Sequence, residues 1–154
     1  MIHAEKSMVI DRPIEEVFAF VGDQTNAPRW QSGLVDVKRL TDGPPGIGTR
    51  HTFVRSFMGR KLEASNEYIA YEPGKKITFK TTSGPIPLEA SYLFEPVGGG
   101  TNLTSTIEMH ATGFVGLAEP LIARSLRREM DAAFVALKDL LEEPAAAISK
   151  ATTS

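Results

Sequence analysis

The segment 113–143 has an apolar residue at every third or fourth position, with charged residues between them. This spacing places the apolar side chains on one side of an α-helix. The stripe consists of Ile122, Leu126, Met130, Ala133, Phe134, Leu137, Leu140 and Leu141. Such a helix spans roughly 40 Å at 1.5 Å per residue. We predict that it lies across a β-sheet and buries its apolar side there.

Pro120 interrupts the first part of this segment, because proline lacks an N–H and its ring clashes with the carbonyl of Gly116. The apolar residues before Pro120 are also centred about a quarter-turn away from the main stripe. We therefore predict a kink or a break between Gly116 and Pro120. We expect the helix after this break to pack against the sheet and the segment before it to cover the mouth of an interior cavity. At that mouth Leu117, Leu121 and Ser125 would face a ligand.

Apolar and polar positions alternate between residues 34 and 111, as in half-buried strands. Short loops rich in glycine and proline separate the runs, which indicates an antiparallel meander. We predict strands at 2–10, 34–40, 48–57, 60–71, 76–83, 88–97 and 101–111. One sheet face must be buried, and only the long helix is large enough to cover it. The prediction is an α+β fold with a seven-stranded antiparallel sheet wrapped around the C-terminal helix.

Two short helices are predicted between the first and second strands. Asp11 followed by Pro13 is a helix-start pattern, in which the carboxylate caps the helix and the proline occupies the first turn. Gly22 ends this helix. Asp23 then caps a second short helix that runs towards Trp30.

The same alternation predicts which strand side chains face the helix. The inward set is Phe53, Phe79, Thr81, Tyr92, Phe94, Ser105, Ile107 and Met109, with His51 and Arg55 on the side of Phe53. The strand 60–71 carries apolar residues on both sides, so its inward face stays open. Bulky aromatic side chains mix here with small or polar ones. The interior is therefore either a ligand cavity or a solid core with His51 and Arg55 at its exposed rim.

Composition and charge narrow the class of protein. The 154 residues fit one domain, predicted at 1–143, with a small polar tail at 144–154 that we expect to be disordered. The net charge is −2 and the basic residues are spread along the chain, which argues against nucleic acid as a partner. No segment has the length and apolarity of a signal peptide or a membrane span, so we expect a cytoplasmic protein without stable membrane insertion.

Cysteine is absent, which excludes disulfides and thiolate chemistry. The three histidines, His3, His51 and His110, show no metal-ligand spacing. We expect no metal and no cofactor. The run Gly98–Gly100 lacks the following Lys-Ser/Thr of a phosphate-binding loop, and a hairpin turn explains it.

Several short motifs, taken in order, resemble one known superfamily. They are VIDRPIEEVFAFVGDQTNAPRW at 9–30, GTR at 48–50, MGR at 58–60, YEPGKKI at 71–77 and GGTNLT at 99–104. Their order and spacing over residues 2–143 resemble the SRPBCC superfamily, and in particular its polyketide cyclase/dehydrase-like branch. The resemblance implies a START-like or Bet v 1-like helix-grip fold. It also implies a deep cavity between sheet and helix for a small hydrophobic molecule, such as a lipid, a polyketide or an aromatic compound.

The superfamily has no common catalytic motif, so the resemblance transfers no catalytic residue. A cyclase or dehydratase acting in the same cavity is the alternative to simple binding, and a protein-interaction module is the third possibility. We expect a monomer or a homodimer. The predicted ligand-binding set is Trp30, His51, Phe53, Arg55, Phe79, Thr81, Tyr92, Phe94, Ser105, Ile107, Met109, Leu117, Leu121 and Ser125.

Three members of this set are also candidates for catalysis. Arg55 and Tyr92 would hold a carbonyl or a phenol and stabilise an enolate, and His51 would act as a general acid or base. For Arg55 a structural ion pair with Glu67 on the adjacent strand is the competing interpretation. For Trp30 the competing interpretation is that it fills core space.

Overall fold

The computed structural model describes residues 2–57, 59–110 and 119–143. The elements are β1 (Ile2–Ile10), α1 (Ile14–Val21), a 3₁₀ helix (Gln24–Arg29), β2 (Leu34–Arg39), β3 (Arg50–Phe57), β4 (Arg60–Glu72), β5 (Lys76–Ser83), β6 (Leu88–Val97), β7 (Gly100–Met109) and α2 (Glu119–Glu142). This is the predicted order. β3 begins two residues later than predicted, because Gly48 has a φ of 92°, a left-handed conformation that a regular strand does not contain.

The strands form one curled, seven-stranded antiparallel sheet in the order β1-β7-β6-β5-β4-β3-β2. Each strand pairs with the next along the chain from β2 to β7, and β1 closes the arrangement by pairing with β7, with Ile2 opposite Met109. The helix α2 lies in the curve of this sheet. Its polar contacts to the edge strand β1 include Lys6 Nζ to Asp131 Oδ1 at 2.7 Å and Lys138 Nζ to the Val9 carbonyl at 2.8 Å. The predicted helix-grip fold is confirmed.

A β-bulge in β4 explains why apolar residues occur at both parities of this strand. Tyr68 pairs with Phe79 and Ala70 pairs with Thr78, so the residue between them, Ile69, is extra. Before the bulge, Leu62, Ala64 and Tyr68 face the interior, whereas Ile69 is exposed. Beyond the bulge the parity reverses, so Tyr71 turns inward and its ring stacks on Tyr68 with the centroids 5.8 Å apart.

The start of α1 differs from the prediction. Pro13, not Asp11, occupies the N-cap position, and no side chain caps the helix. Asp11 instead lies in the junction with the end of α2, where its backbone N–H donates to Glu142 Oε2 at 2.8 Å. The second cap is confirmed, because the Asp23 carboxylate accepts from the backbone N–H of Thr25 at 3.0 Å.

Five residues of the predicted apolar stripe of α2 are buried, and the other three, Ala133, Leu140 and Leu141, are half-buried. The buried residues divide between two clusters. Phe134 and Leu137 pack with α1 and the far end of the sheet, whereas Ile122, Leu126 and Met130 pack near the pairing of β1 with β7. Pro120 is the second residue of the described part of α2, so the predicted break between Gly116 and Pro120 lies largely outside the described residues. The predicted disordered tail, 144–154, also lies outside them. Within the described residues, no helix has the length and apolarity needed to span a membrane.

Candidate ligand cavity

A cavity of about 130 Å³ lies between α2 and the inner face of the sheet. Its walls come from the 3₁₀ helix and its flanks, from strands β3 to β7 and from the first half of α2. Apolar side chains form most of the lining. The exposed residues Pro85 and Ser125 lie at its rim. The volume is about ten times what a single water molecule requires, which is enough for a small organic molecule.

The structure brings most of the predicted ligand-binding residues together around this space. Those that line it are Trp30, Phe53, Arg55, Phe79, Tyr92, Ile107, Met109 and Ser125. Ser105 lines a smaller void of about 50 Å³ that shares Trp30, Arg55 and Tyr92 as walls. The alternation therefore selected interior positions correctly on β3, β5, β6 and β7.

Other predicted residues lie away from the lining. Phe94 belongs to the packed core, with its ring centroid 5.0 Å from that of Phe18. Thr81 donates to the Leu88 carbonyl and accepts from the Leu88 N–H, both at 3.1 Å, so it ties β5 to β6. Leu121 is 63% exposed, because it projects from the outer side of α2. Leu117 lies outside the described residues.

His51 is also absent from the lining, although it is buried. It shares the parity of Phe53 and Arg55, but it lies near the start of β3, beyond the end of the cavity. Its ring packs against Tyr68 with the centroids 5.4 Å apart. Burial, together with the positive charge of Arg39, lowers the pKa of His51 to about 4, against the opposing influence of Asp23. The imidazole is therefore neutral near pH 7.

The main polar feature of the cavity is an ion pair between Arg55 on β3 and Glu129 on α2. Arg55 Nη1 donates to Glu129 Oε1 at 3.1 Å and to Oε2 at 3.3 Å. Arg55 Nη2 also approaches Gln31 Oε1 at 3.4 Å. The competing prediction of an Arg55–Glu67 pair is wrong, because Arg55 lies opposite Leu62 in the β3–β4 register and Glu67 lies opposite Arg50.

Glu129 is a site residue that the sequence reasoning missed. It follows Leu126 by three residues and so lies on the apolar side of α2, next to Met130. An acidic residue within an otherwise apolar stripe was the available signal. Gln24 and Asn66 were missed as well. They line another part of the cavity and satisfy each other, with Nε2 to Oδ1 at 3.3 Å and Nδ2 to Oε1 at 3.0 Å.

Tyr92 presents a neutral hydroxyl to the cavity. Burial raises its pKa to about 12, although Arg55 and the hydrogen bond from Gln31 act in the opposite direction. Gln31 Nε2 donates to Tyr92 Oη at 3.4 Å, and the hydroxyl hydrogen has no acceptor among the described residues. Near neutral pH Tyr92 is therefore a hydrogen-bond donor and not a base.

Trp30 forms a wall of both the cavity and the smaller void. Its ring centroid lies 6.2 Å from that of Tyr92. The indole Nε1 is buried and has no hydrogen-bond partner in the described structure. Trp30 thus fills core space and also contributes cavity surface, and its contact with a ligand stays a prediction. No cluster of three potential metal ligands occurs in the described ranges.

A curled antiparallel sheet that encloses a mostly apolar cavity against one long helix defines a helix-grip protein. The chain belongs to the family described as polyketide cyclase/dehydrase and lipid transport, whose sequence profile matches residues 1–142. A comparison with curated protein sequences found no match.

Several solved structures have the same fold. The protein TTHA0849 from Thermus thermophilus has a TM-score of 0.77 at 19% identity and covers 89% of this chain and 94% of its own. The Zhui aromatase/cyclase from Streptomyces sp. R1128 has a TM-score of 0.77 at 14% identity, covering 94% and 96%. A START superfamily protein from Mycobacterium smegmatis has a TM-score of 0.73 at 15% identity, covering 91% and 97%. At these identities the likeness establishes the fold alone.

Proposed function

We propose that this protein binds a small, largely apolar molecule in the cavity between the sheet and α2. The observation that carries the proposal is the lining itself, which is apolar over most of its area and has its charged groups confined to one ion pair. Ligand sites of this kind gain affinity from the apolar walls and orientation from a few polar groups. The family description, which includes lipid transport, supports the same function.

A cyclase or dehydratase activity in the same cavity is the second candidate. The neutral hydroxyl of Tyr92 and the guanidinium of Arg55 line one space, where they would polarise a carbonyl and stabilise an enolate. However, the described lining contains no histidine, and His51, the predicted general acid or base, lies outside it. The one carboxylate in the described lining, Glu129, is engaged in the ion pair with Arg55. A positioned base of suitable pKa is what such a reaction needs. The geometry therefore favours binding over catalysis.

Native mass spectrometry of protein purified from its own host tests the proposal. We expect a co-purifying small molecule with wild type and at least about a tenfold lower occupancy with Ala90→Phe. Ala90 is buried in the cavity wall between Phe79 and Ile107, so the added phenyl ring would occupy the ligand space. A Tyr92→Phe variant distinguishes binding from catalysis. If the protein is a carrier, the same unaltered molecule should be recovered from wild type and from Tyr92→Phe.

The control for this experiment is Ala132→Phe, the same substitution at an exposed position of α2. It should leave ligand occupancy as in wild type. Full occupancy in a folded Ala90→Phe protein would show that the ligand binds elsewhere. An Ala132→Phe protein that also lost its ligand would mean that the effect of Ala90→Phe is not local to the cavity.

A further inference from the structure

Arg55 and Glu129 are the charged residues of the cavity and of the adjoining void in the part of the chain that the structure describes. Their side chains are 29% and 33% exposed. All the other described lining residues are uncharged near neutral pH, including Tyr92. The guanidinium and the carboxylate therefore cancel, and the interior offers a ligand no net charge.

The backbone beside this ion pair provides room for the carboxylate. A Cβ placed on Gly33 would overlap Glu129 Oε1 and would lie 3.2 Å from Arg55 Nη1. Gly33 is not among the glycines with a positive φ, so a side chain at this position would act by displacing the flexible end of Glu129 and not by straining the backbone. Its carbonyl accepts from the Ser56 N–H at 2.8 Å, which holds this position against β3. Because residue 33 has no side chain, the Glu129 carboxylate occupies the space beside its backbone.

The polar end of the cavity retains a hydrogen-bond donor after these contacts are made. Glu129 and Gln31 together engage both terminal nitrogens of Arg55. The Tyr92 hydroxyl hydrogen remains without an acceptor among the described residues. A ligand oxygen that accepts a hydrogen bond would satisfy it. A ligand carboxylate would instead meet Glu129 at close range, with the charge of Arg55 already neutralised.

We infer that Glu129 determines the specificity of this cavity, by making it accept uncharged molecules with an acceptor oxygen and reject carboxylates. The inference rests on the proposed binding function. The ligand class is a small ketone, ester or phenol on an apolar body, and not a free acid. Loss of the Glu129 charge frees Arg55 to pair with an acid, so it should reverse the preference.

Calorimetric titration with acetophenone and benzoate tests this inference. The two probes have the same ring and similar size, and they differ in charge. Wild type should bind acetophenone and bind benzoate much more weakly. Glu129→Gln should raise the affinity for benzoate by about tenfold or more, because Arg55 gains a charged partner. The ratio of benzoate affinity to acetophenone affinity should therefore rise by about tenfold or more. The gain for benzoate should disappear in the double variant Arg55→Gln/Glu129→Gln.

Asp131→Asn is the matched control, because it removes one negative charge from α2 two residues away, at a carboxylate that pairs with Lys6 on the surface. It should leave both affinities unchanged. Gly33→Ala is a second variant that tests the role of Glu129. It keeps the charge of Glu129 but displaces its side chain, and it should raise the affinity for benzoate by about threefold. Acetophenone binding with no gain for benzoate in either folded variant would overturn the specificity assignment alone. Failure of both probes to bind any folded variant would refute the ligand class inferred here, whereas the proposed function would be refuted by the absence of a co-purifying molecule in native mass spectrometry.

Discussion

Phe134→Ala is expected to lower the free energy of unfolding by about 3–5 kcal/mol. Phe134 is 2% exposed and belongs to the cluster that joins α2 to α1 and the sheet. The substitution removes the transfer free energy of the ring and enlarges the smaller void, because Phe134 forms part of its wall. Urea denaturation followed by circular dichroism measures the change from the shift in midpoint at constant slope.

The adjacent residue supplies the control for this measurement. Val135 is 60% exposed on the outer side of α2, and Val135→Ala should change the stability by no more than about 0.5 kcal/mol. Equal effects of the two substitutions would contradict the burial of the apolar stripe against the sheet. A loss below about 1 kcal/mol for Phe134→Ala would do the same, since a buried phenyl ring normally contributes more than that.

Acidification is expected to destabilise the protein through His51, by about 3 kcal/mol between pH 7 and pH 4. The folded protein holds the pKa of this group at about 4, whereas the unfolded chain has the ordinary value of 6.5. The unfolded state therefore binds a proton first as the pH falls. The stability that the neutral imidazole contributes is fully present above pH 6.5 and is lost as the pH falls towards 4. Burial is the main cause, since His51 is 2% exposed.

Denaturation curves over this pH range for wild type and His51→Gln isolate the contribution of this histidine. Carboxylates titrate in both proteins, so the difference between the two pH profiles belongs to His51. The variant should lose about 3 kcal/mol less than wild type on acidification. His3→Gln is the control, because it removes an imidazole from the surface and not from the buried interior. Parallel profiles for wild type and His51→Gln would refute the prediction.

The local order of the fold could be predicted because it depends on short-range patterns. The two-residue alternation defined the strands, and the three- and four-residue spacing defined the buried side of α2. The cap at Asp23 could be predicted because it is a local contact: the Asp23 carboxylate accepts from the backbone N–H of Thr25, two residues further along the chain. Asp11 shows their limit. Its position suits a helix cap, but the end of α2 binds its N–H, and that contact joins residues far apart in the chain.

The candidate site was only partly predictable for the same physical reason. Alternation identified Phe53, Phe79 and Ile107 as interior residues, since a side-chain direction follows from strand parity. It could not define where along a strand the cavity ends, and His51 lies beyond that end. The β-bulge at Ile69 also cannot be read from alternation, because it reverses the parity within one strand.

The sequence by itself determined the order of elements, the antiparallel meander and the helix that covers it, since each depends on periodicity within one segment. The tertiary structure decided what the interior can bind. The ion pair between Arg55 and Glu129 joins residues 74 positions apart, across the space between sheet and helix. Only the curvature of the sheet and the register of α2 bring these two charges together. That arrangement makes the cavity electrically neutral, which is the physical basis of the specificity proposed for it.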